Sequence, residues 1–237
     1  MHIVPPLPPS LVPPSLLIPY HNGDVYEGQL LDGRPHGRGK MTYVRTPEAA
    51  ADSTDYTSSN CVSYDGDWVD GSRCGYCKVA WADGTLYDGQ YYDDKMCFGG
   101  KLSFINGDIY EGDFEGDKMC GHGKFTWADG DVYEGDYVND MVDGYGTIVY
   151  SDGSKYEGEW RRDAWHGRGT LTYIDGGVYE GRWVRDVVTG NGKMTYKNGD
   201  VYKGGWQGDQ FHGRGSLRKA NGEVHKGRWC DGTLMDR

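Results

Sequence analysis

The sequence lacks any run of about 18 apolar residues, so it predicts no membrane-spanning helix. It is also poor in phenylalanine, with 5 in 237 residues, and in proline, with 9. Glycine does not recur at every third residue, which excludes a collagen-like chain. Tyrosine (19), tryptophan (8) and glycine (39) are abundant instead. Because disordered chains usually lack aromatic residues, this composition predicts a folded protein of one or two domains.

Positive charge is scarce in the first two thirds of the chain. Residues 1–155 contain 11 Lys and Arg against 25 Asp and Glu, whereas residues 156–237 contain 14 against 11. The whole chain has a formal net charge of −11, which makes it a poor non-specific ligand for nucleic acid or anionic membranes. We therefore expect no nucleic-acid partner. The mildly basic last third is the region suited to an anionic partner.

Sequence motifs of catalysis are absent. We find no nucleophile elbow, no phosphate-binding loop with a conserved lysine and no His-Glu-x-x-His, so the sequence predicts no enzyme activity, no catalytic residue and no cofactor. The N-terminus lacks the basic segment of a secretory signal, and prolines interrupt its apolar stretch. We expect a cytoplasmic chain whose six cysteines are free thiols. The pair Cys74 and Cys77 lacks the second pair that a zinc ribbon requires.

An internal repeat of 23 residues organises the chain. It is marked by tyrosines that recur at this spacing: Tyr64, Tyr87, Tyr110, Tyr133, Tyr156, Tyr179 and Tyr202. Counting from this tyrosine as position 0, position 2 is glycine and position 4 is usually aromatic. Positions 11 and 13 are usually glycine, position 17 is usually aromatic, and an Asp-Gly or Asn-Gly pair normally follows.

Each unit is predicted to be a β-hairpin. In residues 131–137, alternation places Tyr133, Gly135 and Tyr137 on one face. In residues 144–150 it places Gly144, Gly146, Ile148 and Tyr150 together on one face. Asp-Gly and Asn-Gly are strong signals for the turns between strands. We interpret the glycines as space for aromatic rings on neighbouring strands, because glycine otherwise weakens a strand.

This pattern resembles the MORN (membrane occupation and recognition nexus) repeat. The resemblance rests on Tyr-Glu-Gly-x-Trp followed by Gly-x-Gly, as at 156–160 and 166–169, and it covers almost the whole chain. It implies an all-β fold: an elongated single-layer antiparallel β-meander of stacked 23-residue hairpin repeats. The array is expected over 20–237, with eight full units from Tyr26 and partial units at both ends.

Two segments fall outside the repeat. Residues 1–19 contain seven of the nine prolines and are predicted to form a Pro-rich N-terminal arm, either a docking arm for an aromatic-lined groove or a surface tail. Residues 44–60 are polar and rich in serine and threonine, and they are predicted to form a loop insertion in the first full unit. No partner for either segment is indicated.

Position 10 carries three of the six cysteines and three of the seven histidines. It holds Cys74, Cys97, Cys120, His36, His166 and His212 in different units. Equivalent residues in neighbouring units should lie about 9–10 Å apart, too far for one disulfide or one metal ion. The sequence therefore predicts no metal-binding residue within one chain, and a metal shared between two chains is the alternative.

Candidate partner-binding residues lie in the basic last third. Arg162 and Arg185 share position 6, and Arg182 and Arg228 share position 3. These two ladders could contact an acidic protein surface or phosphoinositide headgroups, or they could be solvated rows balanced by acids.

Three tryptophans complete the candidate site. They occupy position 4 in successive units, on the aromatic face: Trp160, Trp183 and Trp206. An apolar face of this kind could accept a helix of a partner. The same residues could instead serve only to stabilise the repeats.

The family resemblance implies a non-catalytic structural scaffold or adaptor of a cytoskeletal assembly, with the ciliary or flagellar axoneme or basal region as the favoured setting. The partners would be cytoskeletal or axonemal proteins bound along the repeats, with a homodimer through the C-terminal repeats as a further option. The alternative is a peripheral membrane adaptor that binds anionic phospholipid through the basic C-terminal repeats. An accessory subunit that targets a kinase or a methyltransferase is a third possibility.

Overall fold

The computed structural model describes residues 15–44 and 60–236. The chain divides into two compact units, residues 1–118 and 119–237. Residues 1–14 of the Pro-rich arm and 45–59 of the insertion lie outside the described residues. In both units the described residues form strands and turns without helices, which confirms the all-β prediction.

The first unit is an antiparallel meander in which each strand pairs with its neighbours along the chain. Residues 16–19, within the segment assigned to the arm, form its first strand and pair with the second. The strands are β1 Leu16–Pro19, β2 Val25–Leu31, β3 Arg34–Thr42, β4 Cys61–Val69, β5 Ser72–Trp81, β6 Leu86–Tyr92, β7 Lys95–Ser103 and β8 Ile109–Glu115.

The second unit is built in the same way, with every pairing antiparallel and between strands consecutive in the chain. Its strands are β9 Lys118–Thr126, β10 Val132–Val138, β11 Met141–Val149, β12 Lys155–Arg161, β13 Ala164–Thr172, β14 Val178–Val184, β15 Val187–Thr195, β16 Val201–Gln207, β17 Gln210–Arg218, β18 Val224–Cys230 and β19 Thr233–Asp236.

The core of each unit is a layer of aromatic side chains on one face of its strands. Tyr156 has no exposed surface and meets Trp160 and Trp183 edge-to-face, with ring centres 5.3 and 5.6 Å apart. Its hydroxyl donates a hydrogen bond to the Glu159 carbonyl at 2.9 Å. The repeated tyrosines are buried in the same way throughout the two units. The tyrosine face predicted from alternation is therefore confirmed.

Glycine recurs at positions 11 and 13 of the repeat for different physical reasons. A Cβ atom on Gly146, at position 13, would collide with the Tyr133 hydroxyl that lies across it, so this glycine is the predicted packing space. At position 11 the structure corrects the prediction. Gly144 is exposed, and the glycines at this position have positive φ, as in Gly167 (58°) and Gly190 (68°). Position 11 favours glycine because its backbone is left-handed.

Within a repeat, the two strands pair with a bulge close to the left-handed residue at position 11. The β12–β13 register shifts between Gly158 and Glu159, and the β10–β11 register shifts between Gly135 and Tyr137. The strand pairs between repeats, such as β13–β14, have no shift. The bulge changes which outward side chains face each other across each hairpin.

An aspartate at position 7 links each of six repeats to the repeat before it. Asp163 is an example: Val142 N–H donates to its carboxylate at 2.8 Å, and its own N–H donates back to the Val142 carbonyl at 2.9 Å. The same contact, 21 residues apart, is made by Asp94, Asp117, Asp140, Asp186 and Asp209. These turn residues have positive φ, which aspartate tolerates better than most residues.

Candidate interaction surface

The face opposite the aromatic layer carries the charged side chains. Along β12, Tyr156 and Trp160 are buried while Glu157 and Glu159 are exposed. Positions 1 and 3 of each repeat therefore point outward, and the residues that pair with them on neighbouring strands, at positions 12 and 14, do the same. This outward face carries the polar chemistry of the molecule.

In the first unit the outward residues alternate in charge. Lys78 lies directly opposite Asp88, with a side-chain N–O distance of 3.5 Å, and Lys101 lies opposite Glu111 at 3.2 Å. Arg38 pairs with Asp65 at 3.1 Å. Opposite charges on facing strands stabilise the sheet modestly and leave little net field. The first unit therefore presents a nearly compensated outward face.

In the last repeats of the second unit, like charges face each other. Three facing pairs of cations occur on neighbouring strands: Arg168 with Arg182, Lys193 with Lys203, and Arg214 with Arg228. We call these six residues and Lys226, which lies opposite Ser216, the basic face. Such pairs are destabilising unless an anion is present.

Few acidic groups compensate the basic face. Lys193 pairs with Glu180 at 2.6 Å. Among the described residues, Arg168, Arg182 and Lys203 form no ion pair. These three cations are exposed, although Glu157, Glu159 and Glu180 line the same surface as Arg168 and Arg182.

A shallow groove of about 800 Å³ runs over this surface. Its charged lining consists of two arginines and three glutamates: Arg168, Arg182, Glu157, Glu159 and Glu180. The Glu159 carboxylate accepts a hydrogen bond from the Arg168 N–H at 2.8 Å, so it is held by the backbone. Guanidinium groups and the amide of Asn191, which also lines the groove, can donate several hydrogen bonds at once, which suits carboxylate or phosphate oxygens.

The structure separates the four predicted arginines into two places. Arg182 and Arg228 lie on the basic face. Arg162 and Arg185 lie in exposed turns after β12 and β14, with φ of 50° and 51°. The two ladders therefore do not form one site.

The predicted tryptophans are buried in the aromatic layer. The exposed fractions of Trp160, Trp183 and Trp206 are 8%, 2% and 9%. The Trp183 indole N–H donates to the Gly169 carbonyl at 3.3 Å. Their contribution to partner binding stays a prediction, and their contacts in the structure are those of packing.

Five residues of the basic face were not identified as candidates by the sequence analysis. They lie at positions 12 and 14, or at position 1, and were not compared with each other: Arg168, Lys193, Lys203, Arg214 and Lys226. The signal was available in the repeat. Position 1 is acidic in seven of nine units and position 3 in four, and towards the C-terminus these positions carry cations instead: Lys203, Lys226, Arg182 and Arg228.

Two cysteines of the first unit are expected to be unreactive as thiols. All six are free thiols. Burial raises the pKa of Cys77 to about 12 and that of Cys97 to about 11, so both stay protonated at neutral pH. Protonated thiols are weak nucleophiles and weak metal ligands.

No helix able to span a membrane occurs in the described part of the chain.

A family model described as the MORN repeat matches seven segments of this chain. These are residues 26–45, 64–86, 110–132, 133–155, 156–178, 179–201 and 202–224. A search for relatives among curated proteins finds no match.

Two solved structures illustrate the structural similarities. The TCP domain of SAS-4 (dCPAP) from Drosophila melanogaster, in complex with a proline-rich motif of Ana2 (dSTIL), is 16% identical. The match covers 64% of this chain and 83% of that chain, with a TM-score of 0.41. Inactive H270A virginiamycin B lyase from Staphylococcus aureus, with quinupristin, is 9% identical over 93% and 85% of the two chains, with a TM-score of 0.16. TM-scores this low do not inform function.

Proposed function

This chain belongs to the MORN-repeat family, and from that membership we propose that it is a non-catalytic scaffold or adaptor that binds an acidic protein partner through the basic face. The family is a non-enzymatic type of repeat. The proposed setting is a cytoskeletal assembly in the cytoplasm, with the cilium or flagellum favoured.

The exposed cations of the basic face carry the proposal. Arg168 and Arg182 face each other across β13 and β14, and Arg214 and Arg228 repeat the arrangement on β17 and β18. The two pairs are two repeats apart in sequence, so an extended acidic segment could contact both. Complementary charge increases the rate and specificity of association more than its raw affinity.

The burial of the aromatic layer supports a partner-binding surface on the outward face, because the inner side chains of the described residues are covered. Because the repeated tyrosines and tryptophans are buried against each other, we expect partner choice to depend on the outward positions. The charge at the outward positions changes between repeats, whereas position 0 is tyrosine in every unit except the last. A family scaffold can thus keep one fold and change its binding surface.

The test uses the tagged full-length chain expressed in ciliated cells, followed by detergent extraction, fractionation and imaging. The variant is Arg168→Gln, Arg182→Gln and Arg214→Gln. The matched control removes the same number of charges from the first unit: Lys40→Gln, Lys78→Gln and Lys101→Gln. We expect the wild type and the control to stay in the insoluble cytoskeletal fraction and the variant to be released several-fold more, with crosslinking identifying acidic neighbours.

A further double variant distinguishes binding by the strand arginines from binding by the turn arginines. Arg162→Gln with Arg185→Gln leaves the basic face intact. Retention of this double variant would support the basic face as the contact, whereas its release alone would assign binding to the turns and overturn the proposal.

The alternative function, a peripheral membrane adaptor, is supported by the same cations, because guanidinium groups also bind phosphate. It is tested by sedimentation with phosphatidylcholine vesicles, with and without phosphatidylinositol bisphosphate. Lipid-dependent binding that the three arginine substitutions abolish, together with detergent release of the wild type, would replace the scaffold by the membrane adaptor. Binding to headgroups should fall steeply with salt.

A further inference from the structure

Three metal-binding side chains converge at the end of the second unit. His212 lies on β17, Cys230 is the last residue of β18, and Asp231 begins the turn to β19. One potential ligand atom from each lies within 4.8 Å of the other two. The turn is held against β17 by a hydrogen bond from the Gly232 N–H to the Phe211 carbonyl at 3.0 Å, which places Asp231 beside His212.

Two of the spacings, both to Asp231, are close to those between the ligand atoms of a zinc ion. The His212 Nδ1 atom is 3.6 Å from a carboxylate oxygen of Asp231, and the Cys230 Sγ atom is 3.7 Å from the other. Ligand atoms bound tetrahedrally at about 2.0–2.3 Å from one zinc ion are roughly 3.3–3.7 Å apart. One ion could therefore contact all three groups with small side-chain movements.

The histidine is directed towards this position without a hydrogen-bond partner. The Nδ1 atom of His212 is itself buried and has no hydrogen-bond partner among the described residues, although the side chain as a whole is 39% exposed. At 3.6 Å its distance to Asp231 is too long for a hydrogen bond. A metal ion would satisfy this nitrogen, which is otherwise left at an energetic cost.

The first unit contains the same arrangement without the cysteine. His36 and Asp70 occupy the equivalent positions, with Nδ1 and a carboxylate oxygen 3.4 Å apart. The residue equivalent to Cys230 is Val69. There the Asp70 N–H donates to the histidine Nδ1 at 3.4 Å, so this nitrogen has a partner. The cysteine and the unpartnered nitrogen occur together in the terminal repeat.

We propose that His212, Cys230 and Asp231 bind one Zn²⁺ ion within a single chain, with water as the fourth ligand. The histidine nitrogen, the thiolate and the carboxylate are the ligand types that zinc prefers. Binding displaces the thiol proton to solvent and joins β17 to the β18–β19 turn. The terminal hairpin would then be held by the metal in place of the aspartate contact that links earlier repeats. This inference is independent of the proposed partner binding.

The sequence prediction of no metal site compared only residues that share position 10. In the structure, His212 at position 10 meets positions 5 and 6 of the following unit instead. Those two positions lie across one strand pair, and so they are close enough for a common ligand.

The test is metal binding by the purified full-length chain after removal of metal with a chelator. We expect one Zn²⁺ per chain by elemental analysis, and with Co²⁺ as a probe a thiolate-to-cobalt charge-transfer band with the visible absorption of tetrahedral cobalt. Cys230→Ser should abolish the charge-transfer band, and both Cys230→Ser and His212→Gln should weaken Zn²⁺ binding by at least about 100-fold. Circular dichroism checks that each variant is folded.

The matched controls are His36→Gln, at the equivalent site without cysteine, and Cys97→Ser, another thiol of the chain. Neither should change the stoichiometry or the cobalt spectrum. No Zn²⁺ binding by the wild type at micromolar concentrations, or binding that survives Cys230→Ser, would overturn the proposal. A ratio of one Zn²⁺ to two chains would also overturn the single-chain site.

Discussion

The outward faces of the two units differ although their inward faces are built alike. In the first unit, lysines such as Lys78 and Lys101 lie opposite acids and form ion pairs. In the last repeats of the second unit, Arg168 lies opposite Arg182 and Lys193 opposite Lys203. The repeat therefore fixes the fold through one face and leaves the other free to acquire a binding surface.

High pH should affect both units through their common inner face, and this is the largest effect we expect. Burial raises the pKa of Tyr26, Tyr179 and Tyr202 to about 12, against about 10 in an unfolded chain. The stability from keeping these hydroxyls protonated is complete below pH about 10 and is lost as the pH rises through about 12.

Circular dichroism and tyrosinate absorbance measured together during an alkaline titration check this expectation. Exposed tyrosines such as Tyr92 and Tyr145 should ionise gradually from pH about 10, and the remaining tyrosinate should appear cooperatively with loss of β-structure. Gradual ionisation of all the tyrosines with unchanged circular dichroism would mean that the tyrosine layer is open to water, contrary to the burial described here.

Removing one core tyrosine from each unit tests whether the inner faces are equivalent. Tyr64 and Tyr156 both have no exposed surface, so Tyr64→Ala and Tyr156→Ala should each lower the free energy of unfolding by about 3–5 kcal/mol. Urea denaturation measures the change. Tyr145→Ala, at an outward residue with 54% exposure, is the control and should change it by less than about 0.5 kcal/mol. A large difference between the two core variants would break the equivalence.

The position-7 aspartates provide a second test of whether the two units are equivalent. Of the six described above, Asp94 alone pairs with a buried arginine. Asp94 pairs with Arg73 at 2.9 Å, and that arginine side chain is 4% exposed and 5.0 Å from the Tyr91 ring centre. Asp163 accepts the equivalent backbone hydrogen bond from Val142.

Asp94→Ala should therefore cost about 2–3 kcal/mol of unfolding free energy, and Asp163→Ala about 1 kcal/mol. Thermal and urea unfolding provide both values. Adding Arg73→Met to Asp94→Ala should recover part of the loss, and no recovery would argue against the unpaired guanidinium as its cause.

Charge substitutions on the outward faces should have the smallest effects on stability and opposite signs in the two units. Arg182→Glu replaces a repulsive pair with an attractive one and should stabilise by about 0.2–1 kcal/mol, whereas Lys101→Glu faces Glu111 and should destabilise by a similar amount. Urea denaturation at low salt measures both, and high salt should reduce both. Equal signs would show that the two faces do not differ in the way described.

Much of the fold could be predicted because the alternation within each repeat identifies the residues of the inner face. Tyr133, Gly135 and Tyr137 alternate in sequence, and the structure buries all three. Gly144 was predicted to share a face with Gly146, but Gly146 is buried and Gly144 is exposed, because a bulge and a left-handed backbone interrupt the alternation there. Alternation alone does not reveal a bulge, since one extra residue reverses the direction of the side chains.

The repeat length, the strands and the buried aromatic layer follow from the sequence, because a 23-residue period repeats the same hydrophobic positions in every unit. Which outward residues meet depends on the three-dimensional arrangement of the strands. Arg168 faces Arg182, and His212 meets Cys230 and Asp231, through strand register and turn conformation. The period relates equivalent positions of different repeats, which are about 9–10 Å apart, whereas contacts form between non-equivalent positions on adjacent strands about 4.8 Å apart.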